Sequence, residues 1–227
     1  MEILDKIPCK FDLNALLEKM HIEKESDDAK DFTGLLETAS GIARPKVIYD
    51  IAYVENSKDD TVEFGNTVFT SHILSVNLDK VERVFPYIIT CGRELDEIKI
   101  PPDDMFKQFW MDGIKTAALF TGRNYFIEFI KKRYAIKKTA SMSPGSGSRD
   151  IWPIEQQKLL FSLFGDVEKL IGVKLTDSFL MIPNKTVSGI LYPAEVDFNT
   201  CKLCPRKVCI NRRAPYDEEL VKKYDKK

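Results

Sequence analysis

Three cysteines, Cys201, Cys204 and Cys209, lie within nine residues near the C-terminus of this 227-residue chain, which has only two others. In a C-x2-C pair the turn between the two residues is tight, so both thiolates can face one metal. A cytoplasmic chain rarely clusters exposed thiols, because they are reactive. The spacing therefore favours a zinc ion or an iron–sulfur cluster over a redox device or a set of unliganded thiols.

Three thiolates leave a tetrahedral zinc site one ligand short, whereas an iron–sulfur cluster accepts a fourth ligand from elsewhere or keeps an open iron. The candidates for that ligand are Cys91, His21 and His72. The segment "FNTCKLCPRKVCINRRAP" has few apolar residues, so we expect metal occupancy to order residues 198–215.

Basic side chains surround the cysteines and would lower the pKa of a thiolate and offset the negative charge of a thiolate-ligated site. The alternative is that they form a solvated run of charge. These residues are Arg206, Lys207, Arg212 and Arg213.

A second candidate site is the loop "SMSPGSGS" at residues 141–148. Its small residues leave backbone N–H groups unobstructed, which suits a phosphate, a carboxylate or another polar ligand group. A flexible connector is the alternative, since the Walker pattern and the dinucleotide fingerprint are both missing. Cys9 and Cys91, taken singly, are typical of buried small apolar residues. Neither histidine belongs to a recognisable motif, so a hydrolytic triad has no support.

The composition of the chain limits the classes of partner that it is expected to bind. Thirty-four basic and 35 acidic residues nearly cancel, so charge indicates neither a nucleic acid nor a membrane surface. No apolar run reaches the roughly 18 residues that span a bilayer. The opening "MEILDKIPCKFDL" carries acids where a secretory signal carries bases, which predicts a cytoplasmic protein. Five cysteines, an odd number, argue against a disulfide framework.

The elements that must position these residues can be predicted from periodicity. Residues 11–22 predict an amphipathic helix with Asp12 as its N-cap, and a second helix is expected to end near Gly41. Residues 46–56 and 61–71 are rich in β-branched and aromatic residues and predict hairpin strands. Residues 84–92 predict a buried strand, after which "RELDEI" resembles the start of a helix.

Residues 104–134 predict a long central helix whose residues Phe106, Trp110, Ile114 and Ala117 are expected in the core. The stretch "TASMSPGSGS" predicts a loop. Residues 154–172 predict one helix ending at Gly165 or two short helices, and residues 178–193 predict two strands around a Pro183-Asn184 turn.

Four segments carry a resemblance to a known family, namely "PKVIYDIAYVEN", "FPYIITCGREL", "SMSPGSGSRDIWPIEQQKLLFSLFGDVEKLIGVKLTDSFLMIPNKTVSGILYP" and "CKLCPRKVCINRRAPYD". Together they resemble the stand-alone relatives of the activation (reactivation) domain of cobalamin-dependent methionine synthase. The likeness to the activation domain itself is best over residues 141–191. It implies an α+β fold, an antiparallel or mixed sheet with packed helices, over residues 1–195. The cysteine-rich tail, residues 196–227, has no counterpart in the parent domain.

In that family the domain binds S-adenosylmethionine and caps the cobalamin domain, so that inactive cob(II)alamin can be reduced and remethylated. The resemblance implies an activation subunit for a corrinoid methyltransferase in methionine biosynthesis, most simply a methionine synthase that lacks its own activation domain. Its partners would be that corrinoid protein and an electron donor. A thiolate-held cluster on the tail would offer one electron path to the corrinoid.

The ligand loop of the family reads R-x-x-x-G-Y, and the corresponding residues here are Ser141, Gly145 and Ser146. Only the glycine matches, so the cation that would pair with the ligand's carboxylate is missing and we expect weak or absent S-adenosylmethionine binding. By the same resemblance, small residues of the loop should line the entrance of a cleft that faces the "VSG" strand. The residues of this predicted cleft are Ser141, Pro144, Gly145, Ser146 and Gly147, with Val187, Ser188 and Gly189 opposite.

Two alternatives belong to other functional classes. One is a non-catalytic interaction module, in which zinc or a cluster holds the tail and the ligand cleft is vestigial. The other is an enzyme that binds S-adenosylmethionine through altered contacts. Metal content and ligand calorimetry would separate these alternatives from the activation subunit.

Overall fold

The computed structural model describes residues 1–147, 151–195, 198–209 and 212–225. Within these ranges the strands are Glu2–Leu4 (β1), Lys46–Tyr49 (β2), Ala52–Lys58 (β3), Thr61–Phe64 (β4), Thr67–Thr70 (β5), Arg83–Thr90 (β6), Thr139–Met142 (β7), Lys174–Leu175 (β8), Met181–Ile182 (β9) and Thr186–Pro193 (β10). The α-helices are Leu13–Lys19 (α1), Asp27–Ile42 (α2), His72–Leu78 (α3), Met105–Arg133 (α4), Gln157–Ser162 (α5), Val167–Ile171 (α6) and Glu218–Asp225 (α7). The α+β class predicted from the sequence is confirmed.

β6 is the central strand of the main sheet. Along one edge it pairs with β10, and along the other it pairs with β2 and then β3. β1 extends the sheet beyond β2, β7 extends it beyond β10, and β4 and β5 continue from β3. Every pairing of this sheet is antiparallel. β8 and β9 form a separate two-stranded ribbon among the described residues.

Alternation along β2 and β6 distributes the apolar residues between the two faces of the sheet. Tyr87 and Ile89 face α1, α2 and α4 in a first core, whereas Ile88 faces α5 and α6 in a third. A second core lies where β3, β4, β5 and β7 meet α3 and includes Trp152. Both faces of the central strands are therefore buried, which explains why β6 reads as a continuous apolar run.

Helix starts follow the capping rules. The Asp12 carboxylate accepts a hydrogen bond from the Ala15 N–H at 3.0 Å, as the sequence predicted. Ser26 caps α2 and Ser71 caps α3 in the same way. α2 ends at Ile42, two residues before the Arg44-Pro45 step, close to the expected end.

Some elements differ from the expectation. Residues 139–142, predicted as loop, form β7, because Ala140 and Met142 fill the second core beside β10. The segment Glu94–Glu97 forms a single 3₁₀ turn rather than the start of a longer helix. The 154–172 segment forms two short α-helices after a 3₁₀ turn, one of its two predicted forms.

α4 is the long central helix, but its first turn does not follow the predicted core pattern. Trp110 and Ile114 are buried, whereas Phe106 is 74% exposed, so its placement in the core was wrong. The helix reaches the core only after its first turn, because Met105 and Phe106 precede the contact that Trp110 makes with Phe32 at 5.8 Å between ring centroids. Among the described helices, none is both long and apolar enough to cross a membrane.

The tail packs against the body of the protein. Phe198, Leu203 and Tyr224 are buried in the second core. The hydroxyl of Tyr224 donates to Asn77 Oδ1 at 2.6 Å, and the carbonyl of Tyr224 lies 2.8 Å from His72 Nε2. The core therefore extends past residue 191, although the division into residues 1–195 and 196–227 stays a prediction.

Candidate functional site

The Pro-Gly loop follows β7 and closes on itself. The Gly145 N–H donates to the Trp152 carbonyl at 2.8 Å, and the Ser146 N–H donates to the Ser143 carbonyl at 3.1 Å. Both donors are thus paired within the loop. The row of open N–H groups suggested by the small residues is not present at these two positions, and a ligand anion would have to displace a protein carbonyl from them.

The glycines of this loop meet both a conformational and a steric need. Gly145 and Gly147 have φ values of +74° and +92°, which are strained for residues with a side chain. A Cβ at Gly147 would lie 2.5 Å from Ile151 Cδ1. The Ser146 hydroxyl lies 3.0 Å from the hydroxyl of Thr200, at the start of the cysteine segment. The loop is therefore joined to the tail.

The structure places the "VSG" strand against the start of this loop. A Cβ at Gly189 would lie 2.3 Å from the Met142 carbonyl oxygen, so only glycine allows this approach. Ser141 pairs with Leu191 in the β7–β10 ladder, and the alternation of β10 puts Val187 and Gly189 on the same face as Leu191. This face is the one that α4 covers.

Ser188 points the other way. It pairs with Ile88, which belongs to the third core, and it is 3% exposed. The structure thus brings Ser141, Val187 and Gly189 onto one face of the sheet, but it separates Ser188 from them, because neighbouring residues of a strand face opposite sides.

The cysteine segment begins with a 3₁₀ turn at Thr200–Leu203, in which the Asn199 side chain accepts from the Cys201 N–H. Its centre is the guanidinium of Arg212. Nη1 donates to the carbonyls of Cys201 and Ala214 at 3.0 and 3.1 Å, and Nη2 donates to those of Cys204, at 3.2 Å, and Arg206. Charge-assisted bonds of this kind are among the stronger hydrogen bonds in proteins.

Arg212 gives the tail a means of ordering that the sequence argument did not include. That argument required a metal because the segment has few apolar side chains. In the structure the Arg212 guanidinium donates hydrogen bonds to four backbone carbonyls, and the buried Leu203 side chain adds an apolar contact. Several basic residues share this segment, and residue type alone did not distinguish Arg212 from the others.

Cys201 has a distinct electrostatic setting. Partial burial raises the pKa of its thiol, but hydrogen bonds from the backbone and side chain of Arg213, the charge of that side chain and the N–H of Ala214 outweigh this and leave the pKa below its ordinary value. All three tail cysteines are partly exposed and free. The prediction that nearby basic residues would favour a thiolate is supported at Cys201 by Arg213.

The candidates for a fourth ligand lie elsewhere. Cys91 is fully buried in the first core, on the α4 side of the sheet, whereas the tail packs into the second core. Burial raises the pKa of the Cys91 thiol to about 12, which disfavours the thiolate that a metal requires. The structure thus places Cys91 in a different core from the tail, and its role as a possible metal ligand stays a prediction.

His72 is already engaged, with Nδ1 2.6 Å from Asp60 and Nε2 2.8 Å from the Tyr224 carbonyl. His21 follows α1 at a φ of +56°. Across residues 1–147, 151–195, 198–209 and 212–225, no group of three or more His, Cys, Asp or Glu side chains is arranged to hold a metal ion. The three tail thiols therefore do not form a ready ligand set in this structure.

Two open cavities lie away from the Pro-Gly loop. One, of about 390 Å³, lies beside Tyr53 and Arg83. The other, of about 370 Å³, lies between α4 and the segment after β6 and was not anticipated from the sequence. Its lining residues are Asp96, Ile98, Lys99, Ile100, Gln108, Met111, Asp112, Lys115 and Asn184. Residues 141–147 are not among the described residues that line either cavity.

Replacing Arg212 by Ala should loosen the tail. Losing several charge-assisted bonds should lower the local opening free energy by roughly 2 kcal/mol, so amides of the 200–209 and 217–225 segments should exchange about 30-fold faster. Hydrogen exchange read by mass spectrometry measures this. Arg206→Ala is the matched control, because Arg206 contributes its carbonyl rather than its side chain. Equal exchange in wild type and Arg212→Ala would contradict the role given to Arg212.

Comparison with solved structures identifies a similar fold. The crystal structure of the MetH reactivation domain bound to AdoHcy matches with a TM-score of 0.56 and 17% sequence identity, over 86% of this chain and 71% of that chain. No protein-family model matches the sequence, and no curated protein matches it. The chain thus shares its fold with the MetH reactivation domain.

Proposed function

We propose that this protein is an activation subunit that docks on a corrinoid protein, a cobalamin-dependent methionine synthase lacking its own activation domain, and supports reductive reactivation of its cob(II)alamin. The observation that carries the proposal is the fold, which is shared with the MetH reactivation domain over 86% of the chain. The resemblance of the sequence to this family, best over residues 141–191, points to the same assignment.

Three residues of the predicted cleft lie together, although the loop lines neither of the cavities described above. Ser141, Val187 and Gly189 share the face of the sheet that α4 covers, and Gly189 allows the close approach of the loop to the strand. A cleft that served this function would be formed by backbone and small side chains. The family's Arg and Tyr contacts would have no equivalent at Ser141 and Ser146.

The proposed reaction has two steps, a one-electron reduction and a methyl transfer. Cob(II)alamin of the partner takes one electron from a separate donor protein and becomes cob(I)alamin. The Co(I) centre then attacks the methyl group of a sulfonium donor, which leaves as a neutral thioether, and methylcob(III)alamin forms. The residues of this chain would hold the partner in the orientation that exposes the corrinoid, and the corrinoid itself is the substrate.

Iron–sulfur or zinc binding by Cys201, Cys204 and Cys209 stays a prediction. The thiols do not form a ready ligand set, so no electron step is assigned to them. One observation favours the second candidate function, a non-catalytic zinc- or cluster-binding interaction module. The Arg213 environment lowers the pKa of Cys201, and a metal binds the thiolate form.

The proposed function predicts that the purified chain accelerates reactivation. Added in equimolar amount to a corrinoid-dependent methionine synthase lacking an activation domain, with a reductant and a methyl donor, it should speed the loss of cob(II)alamin absorbance at least about tenfold, which needs only about 1.4 kcal/mol of barrier lowering. Heat-denatured chain is the control. No acceleration at a large excess of folded chain would contradict the proposal.

S-adenosylmethionine should bind weakly, because no cation at position 141 pairs with its carboxylate. One charge-assisted bond is worth about 1.5–3 kcal/mol, so Ser141→Arg should raise affinity roughly 10- to 150-fold in titration calorimetry. Ser141→Gln, of similar length but neutral, is the matched control. Submicromolar binding by the unaltered chain would overturn this prediction.

The triple variant Cys201→Ser, Cys204→Ser, Cys209→Ser should lose any metal that anaerobically purified protein carries. Its thermal transition should stay nearly unchanged, because Arg212 bonds backbone carbonyls that the substitutions leave in place. Elemental analysis, visible absorbance and a thermal melt measure these outcomes. Full metal content in the variant would place the metal elsewhere, and a collapsed melt would show that metal rather than Arg212 orders the tail.

A further inference from the structure

The first turns of α4 present an apolar patch to solvent. Met105, Phe106 and Phe109 are 77%, 74% and 56% exposed. Single exposed apolar residues are ordinary, but several large ones on adjoining helical positions mark interaction sites. Aromatic residues and methionine are also enriched at interfaces. We name these three residues the α4 patch.

The α4 patch rests on a rigid base. The Phe106 ring lies 6.5 Å from the ring of Trp110, which is 4% exposed and packs edge-on against Phe32. The Asp104 side chain caps the helix by accepting from the Lys107 N–H at 2.9 Å. The helix backbone under the patch is therefore anchored, which lowers the ordering cost that a partner would meet on binding.

The cavity of about 370 Å³ described above adjoins the patch, since Gln108, Met111 and Asp112 of α4 line it. Ile98, Ile100 and Met111 provide apolar surface within it. Gln108 Nε2 donates to the carbonyls of Pro101 and Pro102 at 3.2 and 2.9 Å and so ties α4 to the segment that follows Ile100. The cavity is large enough to take a protruding side chain of a partner.

The segment that carries the patch and one side of the cavity is acidic overall. The segment from Asp96 to Asp112 contains five carboxylates and two lysines. Three ion pairs link it to neighbours, Lys115 with Asp96, Lys185 with Asp112 at 2.8 Å, and Lys107 with Asp31 at 3.3 Å. With these partners included, carboxylates still outnumber lysines by six to four.

The excess of carboxylates bears on whether the α4 patch binds a second copy of this chain or a different protein. In a two-fold dimer the same patch meets itself, so excess carboxylates would face excess carboxylates across the interface. A partner with lysine or arginine around an apolar anchor would instead complement both features. The charge therefore disfavours a second copy of this chain.

We infer that the α4 patch and the adjoining cavity are the surface on which the partner protein docks, through an apolar anchor surrounded by basic side chains. The inference rests on the proposed function in one respect, that the partner is the corrinoid protein. The cavity receives the anchor, and the carboxylates orient the partner during encounter, where electrostatic complementarity mainly raises the association rate.

The test uses the full chain and the purified corrinoid protein. Phe106→Ser combined with Phe109→Ser should weaken binding in calorimetry at least about 30-fold, since interface aromatics are frequent hot spots. Leu180→Ser, which removes a 64% exposed apolar side chain elsewhere, should leave affinity within about twofold. Asp103→Lys should slow association and reduce its dependence on salt. Sedimentation of the chain alone should show a monomer.

The outcomes separate the two proposals. If wild-type chain binds and reactivates and the double variant does both equally well, the docking surface lies elsewhere while the proposed function stands. If wild-type chain neither binds nor reactivates, the proposed function fails and the partner assigned here fails with it. A dimer that the double variant abolishes would assign the patch to a second copy and overturn the inference. Because both phenylalanines are exposed, an unchanged thermal melt should accompany the binding loss.

Discussion

The antiparallel ladder between β6 and β10 is the constraint on which the rest of the structure depends. It runs over six residue pairs, from Thr186 with Thr90 to Leu191 with Phe85. β2 and β3 pair along its other edge, so β6 is hydrogen-bonded on both edges, and its two faces support different cores. A slip of one residue would move every side chain to the opposite face, so the apolar residues on both faces fix the register.

That register also places the candidate site. Ser141, Val187 and Gly189 share a face because β7 and β10 pair where they do, and Gly189 allows β7 and the loop to approach. The loop then reaches the tail through Ser146 and Thr200. One ladder thus connects the sheet, the loop and the cysteine segment, which are distant in sequence.

The sequence predicted the elements whose signals are local. Asp12 capped its helix, and the apolar run of β6 became the central strand. It did not predict features that depend on distant partners. β7 resembles a loop until β10 pairs with it, and Phe106 has the spacing of a core residue although it is 74% exposed. Helical periodicity identifies the face of a helix, but it cannot show where along the helix the covering layer begins.

For the candidate site, spacing found the cysteines and the Pro-Gly loop but not how they are held. The Gly145 and Ser146 N–H groups are paired with carbonyls, which residue type could not show. Arg212 organises four carbonyls, whereas composition made it one of several basic residues. Hydrogen-bond partners depend on how the backbone is brought together, so the candidate residues could be predicted better than their contacts.

This chain and the MetH reactivation domain share a fold at only 17% sequence identity. The residues that the fold requires can therefore differ from those that ligand binding requires. The scaffold depends on buried apolar alternation and on a few close approaches such as that at Gly189, which many sequences satisfy. Ligand recognition depends on a small number of polar side chains, and two of those expected from the resemblance are serines at positions 141 and 146. Under the proposed function, the differences specific to this chain would therefore lie outside the sheet, in the tail gathered by Arg212 and in the exposed start of α4. Under that proposal, both would present their chemistry to a partner protein rather than to an enclosed small molecule.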